Sequence, residues 1–325
     1  MKIPISLIID DPAPVISVYH EHAKNPFTAD GRPLVKSFSN ELLTKFCDII
    51  EQNGIKGKFS VVPMPANKGD IINGIEGVDK TLMAEWLNIV KKRVAKNFSI
   101  GPEMLTHHKA VDLNTGKTLD QKESVWANDK DRTVLTPYIE KALSILKQAG
   151  FDAFGVTSPW NFAIDVEEEY AYSIAHAVYN VTGKKNSWYF LRELCDRDNA
   201  KPWVAFDDGD KTVVSIPATT DDVIWDTIDT TDTSTEFINS LADKLISIDG
   251  KSGEIIRVLE RGGYPILITH WQSLMSNGLG TGLKVLEEIT KRVNNNLSDT
   301  VEWMSFEEIM EMVVVNKKDY QKPQF

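Results

Sequence analysis

Hydrophobic and polar positions along the chain alternate between two periods. Short apolar runs of strand length are separated by longer stretches in which apolar residues recur every three to four positions, as on one face of a helix. The pattern predicts strands at Ile5–Ile9, Lys58–Val62, Phe98–Ile100, Ala153–Val156, Trp188–Leu191, Thr212–Ile216 and Pro265–Thr269, and a short one near Val301–Met304. It predicts helices at Ser39–Gln52, Lys80–Lys96, Thr136–Gln148, Val166–Val181, Thr235–Ile248, Gly282–Val293 and Phe306–Val314.

This alternation of strands and helices predicts a mainly parallel sheet with crossover helices. The run Asp207–Asp210, between two β-rich stretches, predicts a local hairpin added to that plan. The length of 325 residues would allow two domains, but a single α/β barrel commonly takes about 250 residues. We therefore predict one domain over residues 1–325. Its fold class would be α/β, a distorted (β/α) barrel of about seven strands with a small β-hairpin insertion.

Charge and composition exclude several classes of function. A formal net charge of -11 argues against broad binding to nucleic acids or to an anionic membrane surface, which both require basic patches. The two cysteines, Cys47 and Cys195, are most simply packed thiols. The chain begins directly with a strand-like run and has no signal-peptide pattern or membrane-length apolar run, which favours a cytoplasmic location.

Polar residues with useful chemistry follow three of the predicted strands. Asp10 and Asp11 end the first strand, the run Glu103–His108 with Asp112 follows the third, and His270 ends the seventh. Oxygen and imidazole ligands from separate strand ends suit a divalent cation. A carboxylate that does not bind the metal could then act as general base, and a histidine as general acid.

Each of these groups also has a plainer interpretation. Asp10-Asp11-Pro12 could form a solvated turn, because Asp and Pro both favour turns. His107-His108 could lie in a polar loop, and a backbone carbonyl could satisfy His270. His20 and His22 are two positions apart, a spacing for one face of a strand and not of a helix, so we do not include them in the predicted metal site.

The strand-end motifs give the sequence a resemblance to the polysaccharide deacetylase family, within the glycoside hydrolase/deacetylase barrel superfamily. That family begins with a strand ending in Asp-Asp, of which the first is the base and the second binds metal; Asp10 and Asp11 match these positions. Glu103 and His107 match its second motif, and "ILITH" with His270 matches its last. "GIKGKFSVVP" and "VEWMSFEEI" stand where the family has its second strand and its terminal strand and helix.

Two positions depart from the family pattern. Val111 stands four residues after His107, where the family usually has a second histidine. The segment "GVTSPWNF" contains no arginine, whereas the third motif of the family carries an arginine that orients the base. Both His108 and Asp112 therefore stay open as the third metal ligand.

The resemblance implies a metal-dependent hydrolase of carbohydrate-type substrates, most like a polysaccharide or amino-sugar deacetylase, with a divalent metal, zinc, as cofactor. Asp10 would activate the attacking water, and His270 would protonate the leaving group. The substrate would be an oligosaccharide or a small molecule. The predicted metal ligands are Asp11, His107 and either His108 or Asp112.

Tryptophans in the strand-end loops suggest a surface for stacking on sugar rings, although packing in the core or in a lid would explain them equally. These tryptophans are Trp126, Trp160, Trp225 and Trp271. The predicted substrate contacts are Glu103, Trp160 and Trp271.

Two other functions stay compatible with the sequence. A metal-independent glycoside hydrolase would pair Asp10 or Asp11 with Glu103 or with an acid from the loop after Ile216. A non-catalytic sugar-binding protein could use the same barrel without its chemistry, because the fold does not settle the function.

Overall fold

Two sheets of mainly parallel strands, surrounded by helices, form the centre of the molecule. The computed structural model describes residues 2–197 and 199–323. The strands are β1 Ile3–Asp10, β2 Gly57–Val61, β3 Gly69–Asp70, β4 Gly74–Ile75, β5 Phe98–Pro102, β6 Lys109–Val111, β7 Thr118–Lys122, β8 Gly155–Thr157, β9 Asn186–Phe190, β10 Trp203–Asp207, β11 Thr212–Ser215, β12 Ile266–His270 and β13 Val301–Trp303. The helices are α1 Val18–His22, α2 Asn40–Asn53, α3 Lys80–Lys92, α4 Glu123–Ala127, α5 Arg132–Gln148, α6 Glu167–Thr182, α7 Thr235–Leu245, α8 Glu254–Glu260, α9 Trp271–Met275, α10 Thr281–Leu297 and α11 Phe306–Val315.

The first sheet has the strand order β12-β1-β2-β5, and β13 pairs in parallel with the start of β1. The second sheet has the order β10-β11-β9-β8, in which β10 runs antiparallel to β11 and the other pairs are parallel. The predicted parallel α/β architecture is therefore confirmed. The β10–β11 pair also confirms the predicted hairpin, with Asp207 opposite Thr212.

The two sheets approach each other at both edges. A parallel bridge between Glu103 and Thr157 joins the chain after β5 to β8. At the opposite edge, the backbone N–H of Thr219 donates to the carbonyl of Ile266 over 2.9 Å. Among the described residues, the strand ladders thus form two sheets and not one closed ladder. Closure of the strands into a barrel therefore remains a prediction.

Apolar residues of both sheets belong to one hydrophobic core. Ile8 and Phe59 contribute from the first sheet, and Val156 and Trp188 from the second. Burial of such side chains is the main source of stability in a globular fold. The same core keeps the carboxyl ends of the parallel strands at one edge of the molecule, where the predicted catalytic and metal-binding residues lie.

A long connection runs from Asp11 to α2, and its residues 12–39 cross this edge; we call residues 12–39 the strap. It contains α1, whose N-cap Ser17 accepts a hydrogen bond from the backbone N–H of His20.

Among the described residues, no helix combines the length and the apolar character that crossing a membrane requires.

Candidate active site

A cavity of about 480 Å³ lies at the carboxyl ends of the parallel strands. Asp10 and Asp11 reach it from β1, Glu103 from the chain after β5, and His270 from the end of β12. The strap and the loops after β8, β9 and β11 supply the other walls. Parallel strands place their carboxyl ends at a common edge, so residues far apart in sequence meet here.

The adjacent aspartates Asp10 and Asp11 are tolerated because the backbone turns between their side chains. Asp11 has a left-handed φ of 67°, and its N–H donates to Glu103 Oε2 over 2.6 Å. Its own Oδ2 accepts a hydrogen bond from Gln272 Nε2 at 2.5 Å. The Asp10 carboxylate takes different partners, Lys58 and Ser60. The two like charges are therefore separated into two hydrogen-bonding environments.

Lys58 on β2 is the cation that faces Asp10. Its side chain is 0% exposed and donates to Asp10 Oδ1, to Ser60 Oγ at 2.6 Å and to Thr157 Oγ1 at 2.7 Å. A buried charge is costly unless it is paired and hydrogen-bonded, and these contacts satisfy that requirement for Lys58. A cation thus balances the charge of Asp10, although the segment "GVTSPWNF" supplies no arginine for that purpose.

Asp11, His22 and His107 form a compact cluster in which each offers one ligand atom, all within 4.8 Å of one another. Asp11 Oδ1 lies 2.7 Å from His107 Nε2, but the contact lacks hydrogen-bond geometry. His22 Nε2 is also buried without a hydrogen-bond partner, and its ring stacks on His107 with centroids 5.0 Å apart. Buried polar atoms are rarely left without partners, so this cluster calls for an explanation.

The charges in the cluster follow from burial and mutual attraction. Burial disfavours the charged form of Asp11, but His107 outweighs it and holds the pKa of Asp11 well below its usual range. Burial likewise opposes the charge on His107, yet Asp11 and Glu103 raise its pKa well above the usual value. Burial, reinforced by His107, lowers the pKa of His22 to about 4, so His22 is neutral at pH 7.

Glu123 at the start of α4 fixes the loop that carries His107. Its buried carboxylate accepts hydrogen bonds from the backbone N–H groups of Leu105 at 2.9 Å, Thr106 at 3.0 Å and His107 at 3.0 Å, and from Tyr138 Oη at 2.7 Å. His107 has a left-handed φ of 52°, a conformation that costs energy for a residue with a Cβ. The bonds from the three backbone N–H groups to Glu123 hold it there, and the bond from Tyr138 holds the Glu123 carboxylate.

His108 and Asp112, the predicted alternatives for the third ligand, do not join this cluster. The left-handed turn at His107 directs His108 elsewhere, with its Nδ1 3.1 Å from Asn67 Oδ1. Strand β6 begins at Lys109 and carries Asp112 to an exposed turn, where its carboxylate accepts the N–H of Asn114. His22 from the strap takes the place that the sequence analysis gave to one of them.

His270 reaches the cavity with one ring nitrogen already engaged. Its Nδ1 lies 2.8 Å from Asp222 Oδ2, and the edge of Trp225 contacts its ring at 5.2 Å between centroids. Burial lowers the pKa of His270, but the bond to Asp222 and the charges of Asp11, Asp222 and Asp10 outweigh it and raise the pKa to about 10. His270 is therefore a protonated histidine beside Asp10, its partner in the β1–β12 register.

The three predicted substrate contacts lie in different environments. Trp160 is 39% exposed, lines the cavity and lies 4.4 Å from the His107 ring. Glu103 is buried against Asp11 and His107, and burial, with Asp10 and Asp11 close by, raises its pKa to about 8. Trp271 does not line the cavity: it is 2% exposed and packs against the rings of Phe46 and Phe59 in the core.

The cluster of Asp11, His22 and His107 has the composition of a metal site. One carboxylate and two imidazoles are common zinc ligands, and three protein ligands leave an open position in catalytic zinc sites. Asp11 Oδ1 and His22 Nε2 are buried without hydrogen-bond partners. A ligating imidazole must be neutral: His22 already is, and His107 would release its proton when a metal binds. The residues therefore fit a divalent cation.

Several residues of the site were not singled out in the sequence. Lys58 lies within a predicted strand, where nothing distinguishes it from an exposed lysine. Asp222 is one of several acids in the polar stretch after Ile216. His22 was noted, but its spacing from His20 indicated a strand; on the short helix α1 only His22 joins the cluster.

Comparison with known proteins gives a likeness of structure alone. No family model matches the sequence, and no curated protein matches it. A structure described as "putative polysaccharide deacetylase" from Mycobacterium smegmatis has a TM-score of 0.51 at 16% identity, over 87% of this chain and 80% of its own.

Two further solved structures are less similar. A "putative glycoside hydrolase/deacetylase" from Parabacteroides distasonis has a TM-score of 0.48 at 9% identity, over 98% of this chain and 72% of its own. A 4-alpha-glucanotransferase from Thermococcus litoralis has a TM-score of 0.44 at 12% identity, over 95% of this chain and 38% of its own. The expected resemblance is thus confirmed as a shared fold: this chain has the α/β fold of the Mycobacterium smegmatis structure.

Proposed function

We propose that this protein is a metal-dependent hydrolase of a carbohydrate-type substrate and that it removes an acetyl group from a sugar. The observation that carries the proposal is the buried cluster of Asp11, His22 and His107, with Asp10 and His270 beside it in one cavity. The shared fold with a structure described as "putative polysaccharide deacetylase" supports the same choice. We also propose that residues 1–325 form one domain in which the two sheets build a distorted barrel.

Asp11, His22 and His107 would hold the divalent metal, for which we choose zinc because of its preference for nitrogen and oxygen ligands. When bound, the metal would supply Lewis-acid polarisation of the carbonyl of the acetyl group. Glu103 would keep Asp11 in place through the Asp11 N–H, and Gln272 would do so through Oδ2. Contacts of this kind, made to the ligands and not to the metal, orient the ligands and contribute to the affinity of the site for the metal.

Asp10 and His270 would move the protons. Water attacks the acetyl carbonyl carbon and gives its proton to Asp10, the general base. The bond from the carbonyl carbon to the sugar nitrogen or oxygen then breaks, and the leaving atom takes a proton from His270. Asp222 holds His270 Nδ1, which leaves Nε2 as the nitrogen that can donate. The products are acetate and the free amine or hydroxyl of the sugar.

A glycoside hydrolase that needs no metal is a second candidate, and Glu193 favours it. Glu193 lines the same cavity from the chain after β9, and burial, with Asp10 and Asp222 nearby, raises its pKa. A carboxyl group with a raised pKa on one side of a cavity and carboxylates on another is the arrangement of an acid and a base in glycosidases.

Metal content separates the two candidates. We expect elemental analysis of the purified chain, after incubation with zinc and desalting, to give about one zinc per chain. His22→Ala and Asp11→Ala would lose it, whereas the matched variants His20→Ala and His108→Ala would keep it. Zinc retained in His22→Ala would contradict the ligand set. No zinc in the wild-type chain, together with cleavage of a glycosidic bond, would establish the second candidate instead.

A further inference from the structure

The walls of the cavity form a ring whose neighbouring segments contact one another. The strap reaches the loop after β8 through His22, whose ring lies 5.1 Å from that of Trp160. On its other side it reaches the loop after β11 through Tyr19, whose ring lies 5.3 Å from that of Trp225. Both contacts place an aromatic edge against a face, a favourable geometry.

The wall opposite the strap is joined by backbone contacts. The N–H of Ser158, after β8, donates to the carbonyl of Phe190 at the end of β9 over 2.9 Å. Beyond β9, Glu193 bridges to Ala218, and the N–H of Leu194 donates to the same residue over 2.8 Å. The chain continues from Ala218 to Trp225 and so returns to the strap.

The strap is also fastened beyond the cavity. The N–H of Ala29 donates to Asp229 Oδ1 over 2.6 Å, and Arg32 Nη2 donates to the carbonyls of Ile228 and Thr230 at 2.8 and 3.0 Å. The loop after β11 and the strap are thus joined by side chains and by backbone groups. A groove that crosses the strand edge would need a gap at this place.

The reacting groups lie at the bottom of this ring. Asp10 and Asp11 are 4% and 3% exposed, and the cavity above them measures about 480 Å³. Pockets of about 300–1,000 Å³ take ligands of drug size, so this cavity has room for a small molecule or a short saccharide and not for a long chain. An interior sugar unit of a polymer is linked to a neighbouring sugar on each side. The closed ring of walls would leave no exit for the second neighbouring sugar.

We propose that the site binds the terminal unit of a saccharide, or a short saccharide, end-on, and that it excludes the interior units of a polymer. The substrate class is therefore a chain end and not a chain interior. This inference rests on the proposed function, because it assumes that the ligand is a sugar.

Binding and product position test the inference separately from the chemistry. Tryptophan fluorescence of the zinc-loaded protein would be titrated with N-acetylglucosamine oligomers from monomer to hexamer, and in parallel with acetylated xylose oligomers. We expect the affinity to stay within about twofold from trimer to hexamer, because the added units lie outside the ring. A tenfold or greater rise in affinity from trimer to hexamer would overturn the inference, as would deacetylation of interior units in mass-spectrometric sequencing of the pentamer.

A strap variant provides the internal comparison. The double variant Tyr19→Ala/Arg32→Ala removes the ring contact with Trp225 and the hydrogen bonds to the carbonyls of Ile228 and Thr230. We expect it to bind longer oligomers more tightly than short ones and to act on interior units. Tyr179→Ala, on the exposed surface of α6, is the matched control and should behave like the wild type. Length-independent binding without release of acetate would contradict the proposed reaction but support end-on binding. Failure of every sugar to bind would overturn both proposals.

Discussion

Lys58 is the residue on which the proposed role of Asp10 depends most. The ammonium group is fully buried, and its three hydrogen bonds all go to residues at the strand ends. A single buried charge is far more costly than a buried pair, so each partner of the Lys58–Asp10 pair needs the other. The geometry also restrains the Asp10 carboxylate, which must meet a water molecule in a defined orientation.

Replacing Lys58 should therefore affect stability and turnover together. In Lys58→Met the buried Asp10 carboxylate loses the ammonium group that is hydrogen-bonded to it, and we expect the free energy of unfolding to fall by about 3–5 kcal/mol. Urea unfolding measures the change. In the double variant Lys58→Met/Asp10→Asn neither charge remains, so part of that loss should be recovered. A double variant no more stable than Lys58→Met would contradict the pairing.

Asp222 sets the protonation of His270. Asp222→Asn removes a charge and a strong acceptor from Nδ1, so the pKa of His270 should fall from its value of about 10. Because the proposed general acid must be protonated, activity is lost as pH rises through this pKa, and the variant should lose activity at a lower pH. The pH dependence of kcat/KM measures the shift.

The matched control for Asp222 is Asp226→Asn, an exposed aspartate of the same loop that pairs with Lys244. If the basic limb of the kcat/KM pH profile did not shift in Asp222→Asn, His270 would not be the general acid. Stability changes with pH in the same direction as activity. A histidine whose pKa is raised in the folded state stabilises the fold fully below its unfolded pKa of about 6.5. That contribution is lost as pH rises through about 10.

The strap is the element that joins the metal site to the rim of the cavity. It carries His22, whereas Asp11 directly follows β1 and His107 lies in the loop between β5 and β6. A metal that binds all three would tie the strap to the sheet. Ligands stabilise the conformation that binds them, so local opening of the strap should become rarer when zinc is bound.

Limited proteolysis checks this effect on the strap. Lys24 and Lys36 are exposed within it and offer tryptic cleavage sites. We expect zinc to slow cleavage of the wild-type strap by about tenfold or more, and to protect His22→Ala far less. His20→Ala serves as the control, since His20 does not join the cluster. Equal cleavage rates with and without zinc in the wild type would show that the metal does not hold the strap.

The whole molecule should unfold as one unit. The hydrophobic core runs without interruption from the first sheet to the second, and the sheets are joined at both edges. We expect unfolding in urea to give coincident transitions by tryptophan fluorescence and by far-ultraviolet circular dichroism. Two separate transitions would mean that the sheets belong to two domains.

The sequence by itself determined the order of the central strands and the long helices and the place of the chemistry; the short elements β3, β4, β6, β7, α1, α4, α8 and α9 were not predicted. Hydrophobic periodicity is a local property, so the eight predicted strands correspond to β1, β2, β5, β8, β9, β11, β12 and β13. The placement of Asp10, Asp11, His107 and His270 at one edge followed from parallel topology, which puts all carboxyl strand ends together. Both inferences need only neighbours along the chain and a general rule of sheet architecture.

Only the tertiary structure decided which side chains meet. Lys58 reaches Asp10 across 48 positions, Gln272 reaches Asp11 across 261, and Asp222 reaches His270 across 48. His22 replaces His108 and Asp112 in the cluster because the strap folds back over the strand ends, and Trp271 turns into the core at the start of α9. Such contacts depend on loop paths and backbone turns, such as the left-handed His107, which no local pattern in the sequence encodes.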